Sequence, residues 1–174
     1  MRLKNWTHLI KNMNQFKYFY CKSWFWAKKR PTEIWSEKQA RQAHKERKKY
    51  TVLVNNIEKP YAVVDIAGNT NFIGVTFLDD LLRDFLSYNF KEIKPEELFL
   101  SMAVHRDFYD KKNQIKKGSS YIFNQNGSLI IRKKSFNPQS LDETNISIDT
   151  SGNYEKYPSF GQYDYLLKTE RQLI

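Results

Sequence analysis

The sequence predicts an α+β fold: a mainly antiparallel sheet of about five or six strands, one amphipathic helix packed on a face, and basic helices ahead of them. Three observations carry this. Residues 50–90 read in succession as strand, turn, strand, turn, strand, helix. Aromatic residues make up 16% of the chain, and such side chains suit a pleated, half-buried surface. A further segment, residues 98–108, alternates between two sets of side chains along its length.

The 174 residues are enough for one domain with a core, and a hydrophobic content of 40% excludes a disordered chain. The net charge of +10 is uneven: residues 1–50 carry 14 Lys and Arg against 3 Asp and Glu, so the remainder is nearly neutral. The chain therefore divides into a basic, aromatic-rich helical arm at 1–49 and an α+β core at 50–174 with an aromatic tail. A basic arm on a neutral body suits an acidic partner: nucleic acid, an anionic surface or an acidic protein. The single Cys21 excludes an internal disulfide and points to a reducing compartment. With no apolar run long enough for a bilayer and no secretory leader, the expectation is a cytoplasmic protein without a membrane partner. Met13 is an alternative start to Met1.

In the arm, Trp6, Leu9, Ile10, Met13 and Phe16 recur at helical spacing. Trp24, Phe25, Trp26, Lys28, Lys29 and Arg30 then make an aromatic-basic run. It reads either as a stacking-and-phosphate surface for nucleic acid or as aromatics packed on the sheet with solvated cations. Ser36-Glu37-Lys38-Gln39 matches a capping box, so a helix is expected from Glu37 to about Lys49. Its only apolar residues, Ala40 and Ala43, give it no stripe to bury. It reads as a solvated spacer, or as a partner surface built from Arg41, Lys45, Arg47, Lys48 and Lys49.

In the core, Val52–Val54 and Tyr61–Ile66 form a hairpin, and Phe72–Val75 a third strand. Leu78, Leu81, Leu82, Phe85 and Leu86 fall at i, i+3, i+4, i+7 and i+8, predicting a helix over Leu78–Tyr88 with Asp79, Asp80, Arg83 and Asp84 outward, either as a partner surface or as an ordinary solvated face. Leu98–Phe108 is a central strand, 109–118 a basic loop, and Asn126-Gly127 a type I′ hairpin turn between Tyr121–Phe123 and Leu129–Ile131. From Asn137 the tail is polar and turn-rich, then aromatic, with a short helix near Tyr163–Arg171.

No catalytic signature is visible. His8, His44 and His105 lack a nucleophile context, no Cys/His cluster suits a metal, and no glycine-rich loop suits a phosphate or other cofactor. One nuclease-like pattern exists, Asp65 with Glu92-Ile93-Lys94, but Glu92 follows the expected helix and is not expected in a strand. The reading is of a non-enzymatic binding protein. Its first contact residues are Trp24, Trp26, Lys28, Lys29, Arg30, Arg41 and Lys45 of the arm, together with Asp79, Asp80 and Arg83.

The segments VLVNNIEKPYAVVDI, FLDDLLRDFLSYNF, LFLSMAVHRDF and SGNYEKYPSFGQYDYLL resemble bacterial immunity proteins found beside polymorphic toxins of the Rhs or contact-dependent type, over roughly residues 50–171. The resemblance implies a protein that binds one cognate toxin and occludes its active site. Inhibitors of nuclease toxins tend to be acidic, and this chain is basic. The departure points to an acidic toxin, or one that does not act on nucleic acid. The resemblance carries over no contact residue, because such contacts belong to each pair.

Overall fold

The computed structural model describes residues 16–171. The expected stripe from Trp6 to Met13 lies outside the described residues. The strands are β1 (Tyr18–Cys21), β2 (Trp24–Phe25), β3 (Arg30–Pro31), β4 (Ile34–Trp35), β5 (Tyr50–Val54), β6 (Ala62–Ile66) and β7 (Phe72–Leu78). They continue with β8 (Asp84–Lys94), β9 (Glu97–Phe108), β10 (Ile115–Phe123), β11 (Ser128–Phe136), β12 (Gln139–Ser147) and β13 (Tyr154–Lys156). Among the described residues one α-helix, α1 (Glu37–Lys45), stands between β4 and β5.

Among the described residues the sheet has 11 strands, in the order β12-β11-β10-β9-β8-β7-β6-β5-β1-β4 with β13 added beside β9. All its pairings are antiparallel. This overturns the expectation of five or six strands, and among the described residues of the arm one helix, α1, forms where several basic helices were expected. Residues 18–35, rich in Tyr, Phe, Trp and Ile, form four short strands, and β1 runs along β5 with Tyr20 opposite Val52.

The predicted Leu78–Tyr88 helix is also overturned: the segment is strand, turn and strand. Leu86, Tyr88 and Phe90 are buried at alternate positions of β8, and this period of two wins over the helical stripe. Asp79 does not start a helix. Its Oδ1 accepts from the backbone N–H groups of Leu81 and Arg83, both at 2.9 Å, which closes a turn. Leu82 is left-handed there, with φ 55°, and that also ends any helix.

Further differences are local. The tail read as turn-rich contains β12, the edge strand, where Asp142 and Glu143 stand opposite Lys133 and Arg132. The final helix is a short 3-10 turn, Asp164–Leu167. The Asn126-Gly127 hairpin forms, but not as type I′. Gly127 N–H donates to Asn124 O, Asn124 N–H to Ser128 O, and only Gly127 has positive φ, which marks a type I turn with a bulge.

The core lies mainly on one face of the sheet. Val52, Val64, Val75 and Tyr88 line it. Over them lie α1 and the segment from Tyr157 to Leu167. The capping box forms as predicted, with Ser36 Oγ accepting from Gln39 N–H and Gln39 Oε1 from Ser36 N–H. The helix is not a spacer, however. Ala40 and Ala43 are buried against the sheet, because small side chains let the helix axis come close. Arg47, read as open to a partner, is used internally. It bonds Glu92 at 3.1 Å and Glu96 at 2.6 Å, and its guanidinium lies 3.9 Å from the Tyr157 ring centre.

A chain of hydroxyls ties the tail to this face. His44 Nδ1 meets Tyr50 OH at 2.9 Å, Tyr50 OH meets Tyr163 OH at 3.0 Å, and Tyr18 OH donates to Asp164. The His44 ring also packs on Tyr157 and Phe160. Burial, and then Arg47, hold the His44 pKa below its ordinary 6.5, with Arg41 adding to this and Glu96 opposing it. The unfolded chain therefore takes up a proton at His44 that the folded chain refuses. The contribution of neutral His44 is complete above about pH 6.5 and is lost as pH falls from there toward the folded value. Urea midpoints measured at pH 7.5 and 5.5 should fall more for the wild type than for His44→Gln. Equal falls would show that His44 does not couple folding to pH.

A second, smaller core fills part of the other face. Trp24, Cys21, Leu53, Val63 and Leu78 are buried there, with Leu82 packed against them. Burial, and then nearby Asp65, push the Cys21 thiol up to about 12, which leaves it protonated and unreactive. No helix among the described residues is long and apolar enough to cross a membrane.

Candidate partner-binding site

The second core explains how one end of the sheet is built. Trp24 is 5% exposed and anchors the β2–β3 hairpin on the sheet. The hairpin tip, a 3-10 turn at Trp26–Lys28 closed by Lys29 in the left-handed region, then reaches the end where β7 stops and β8 starts. There Lys29 Nζ donates to Leu81 O at 2.8 Å and to Asn113 Oδ1 at 3.4 Å. Three segments distant in sequence thus meet: the hairpin 24–31, the turn 79–83 and the loop 109–114.

Arg83 joins the last two. Its side chain is 14% exposed. Its Nε donates to Asp79 Oδ2 at 2.7 Å, and its Nη1 to Tyr109 O at 3.0 Å and Lys112 O at 2.6 Å. The guanidinium lies 4.7 Å from the Phe108 ring centre. Burial works to raise the Asp79 pKa, but hydrogen bonds from Arg83 and Leu81 outweigh it and hold the carboxyl below its usual range.

The three segments expose both apolar and charged side chains at this end. Phe25 and Trp26 are each 42% exposed and Leu81 is 45% exposed. Trp26 stands edge-on to buried Trp24, with ring centres 6.4 Å apart, so the exposed ring has a fixed base. Lys28, Arg30, Lys111 and Lys112 are exposed in the same three segments, together with Asp80 and Asp110.

Of the residues expected to contact a partner, the structure brings eight to this end: Trp24, Trp26, Lys28, Lys29, Arg30, Asp79, Asp80 and Arg83. It separates Arg41 and Lys45, which lie on α1 over the opposite face of the sheet. Arg41 pairs with Glu37 at 2.6 Å and covers the Phe160 ring at 4.4 Å. Within the cluster the roles divide. Trp24 is core, Asp79 accepts from Leu81 and Arg83 within its own turn, Arg83 and Lys29 bond to neighbouring loops, and Trp26, Lys28, Arg30 and Asp80 are exposed. Sequence reasoning missed Leu81, which it placed on a buried helical stripe. It also noted Lys111 and Lys112 without joining them to the arm, because only the β8–β9 and β9–β10 pairings bring their loop here.

The nuclease-like pattern does not assemble. Contrary to expectation Glu92 stands in a strand, β8. It shares the face of Phe90 and is bonded by Arg47, whereas Asp65 on β6 faces the other way, opposite Gly74. Thr51 Oγ1 donates to Asp65 Oδ1 at 2.6 Å, and burial raises the Asp65 pKa. Among the described residues no three His, Cys, Asp or Glu side chains are grouped to hold a metal. A cleft of about 910 Å³ lies at the far end of the sheet, where Arg171 already donates to Glu155 at 3.0 Å.

Comparison with family models, with curated proteins and with solved structures finds no match to this chain.

Proposed function

We propose that this protein is a non-enzymatic immunity protein that binds a cognate bacterial toxin in the cytoplasm and occludes its active site, using the end built by residues 24–31, 79–83 and 109–114. One observation supports this above the others. Trp26, Phe25 and Leu81 stand exposed on braced segments that also expose Lys28, Arg30, Lys111 and Lys112, and large apolar side chains offered together with charge are what a protein interface uses as anchors and rim. Lys28, Arg30, Lys111 and Lys112 steer an acidic toxin surface toward it. Trp26 and Leu81 then supply the desolvated contact.

A second reading, nucleic-acid binding, draws on the same four cations and the Trp26 ring. Asp80 and Asp110 stand in the same loops and oppose a polyanion, so the protein partner is favoured.

The experiment is capture from the source cells with immobilised wild type and Trp26→Ala, washed at low and then at high salt. The immunity reading expects one stoichiometric protein, kept at high salt by the wild type and lost by the variant. That protein should arrest cell growth when expressed alone and not when expressed with this chain. Nucleic acid that elutes with salt, and no protein, would overturn the proposal, because phosphate contacts weaken steeply with salt.

A further inference from the structure

We infer that Lys29 and Arg83 are positioning residues: they take no part in the partner contact, and instead lock the hairpin 24–31, the turn 79–83 and the loop 109–114 into one pre-organised surface. The functional meaning of this rests on the reading above, but the geometry and its test do not.

Three residues at this end are left-handed without being glycine: Lys29 at φ 49°, Leu82 at 55° and Lys111 at 53°. Such residues relax unless their surroundings hold them. The surroundings here are two cations. Arg83 is held on one side by the Asp79 carboxylate and on the other by the carbonyls of Tyr109 and Lys112. Its planar fork serves these directions together, which a single ammonium cannot. Lys29 ties the hairpin tip to Leu81 O, the backbone of the turn that Arg83 closes, and reaches Asn113 in the loop that Arg83 grips. Both charges are spent on neighbouring loops, so neither is offered outward. What they fix is the spacing of Trp26, Leu81 and the lysines of the rim. A surface fixed before contact loses less conformational freedom on binding than one assembled by the partner.

Amide hydrogen exchange on the free protein tests this. The reporters are Lys29, Leu82 and Lys112, whose N–H groups bond to Trp26 O, Asp79 O and Tyr109 O. A charged hydrogen bond corresponds to about 10- to 100-fold in a local opening equilibrium. Arg83→Lys should therefore speed exchange at Leu82 and Lys112 by about 10-fold or more, and fail to rescue what Arg83→Ala loses. Lys29→Met keeps the apolar stem and should do the same at Lys29 and Leu82. Amides in the middle of β8 and β9 should stay within about 2-fold of wild type. Unchanged loops, or an equal change throughout the chain, would overturn the inference. The partner reading fails separately. If the loops loosen while Trp26→Ala leaves capture unchanged, the brace stands and the binding surface lies elsewhere.

Discussion

Gly68→Ala should destabilise the protein by about 3–5 kcal/mol, one of the largest effects of any single methyl group in this chain. Gly68 follows β6 at φ 61°, a conformation that costs an L-residue about 1–2 kcal/mol. An added Cβ would also lie 2.2 Å from Arg47 O and 2.9 Å from Lys48 C, both backbone atoms. No side chain can swing aside to relieve such a contact. The backbone leaving α1 must move, and it carries Arg47 away from Glu92 and Glu96. Part of the cost is then a loosened ion pair at Glu92, whose side chain is only 9% exposed. For a chain of this size each kcal/mol shifts Tm by about 2–4 °C, so a fall of about 10 °C or more is expected in a thermal scan. Gly152→Ala is the control: no atom lies within 4 Å of its added Cβ, and its Tm should barely change. A Tm for Gly68→Ala equal to that of the control would mean that the close packing of β6 on the exit of α1 is wrong.

The sheet was legible where a strand is an unbroken β-branched and aromatic run buried on both faces, or where its side chains alternate over a long stretch. Val52–Val54, Tyr61–Ile66 and Leu98–Phe108 each present their strand character in one unbroken run. Leu78–Tyr88 was not legible, because Leu78, Leu81, Leu82, Phe85 and Leu86 satisfy a helical stripe in letters. The alternation of Leu86, Tyr88 and Phe90 becomes decisive only with β7 and β9 on either side. The strand β12 was missed for a different reason. It is an edge strand exposed on nearly every side chain, so no apolar pattern marks it, and its stability comes from pairing with β11. Ala40 and Ala43 misled in the opposite direction. An apolar stripe made of methyl groups scores low in hydropathy, yet it is the stripe a helix needs to lie close to a sheet.

Charge behaved in the same way as pattern. The cations of the arm from Lys28 to Lys49 looked uniform in sequence, but folding sorts them by what each can reach. Arg47 turns inward to Glu92, Lys29 to a backbone carbonyl, and Arg41 to Glu37 and Phe160. Lys28 and Arg30 remain outward. A cluster of cations in sequence therefore overstates the field that a partner meets, and the apolar side chains at its centre carry more of the specificity.

Trp26→Ala should reduce partner affinity by about 30-fold or more while leaving the fold intact. The argument turns on two tryptophans two positions apart. Trp24 is 5% exposed and packs with Leu53, Val63 and Leu78, so Trp24→Ala opens a cavity and should cost about 3–5 kcal/mol of stability. Trp26 is 42% exposed and packs in a T-shaped pair with Trp24 outside the buried clusters, so its removal should open none. Its cost in the free protein should stay within about 1 kcal/mol. In the complex the same ring would be desolvated at the centre of the contact, where truncation costs about 2 kcal/mol or more. The Lys28→Glu exchange separates steering from anchoring. It should slow association about tenfold at low salt, an effect that salt erases, whereas the Trp26→Ala loss should lie in dissociation and survive salt. Surface plasmon resonance on the captured partner reads both rates. Trp26→Ala with wild-type dissociation, or with a Tm lowered as far as that of Trp24→Ala, would show that the exposed ring is not the anchor of this interface.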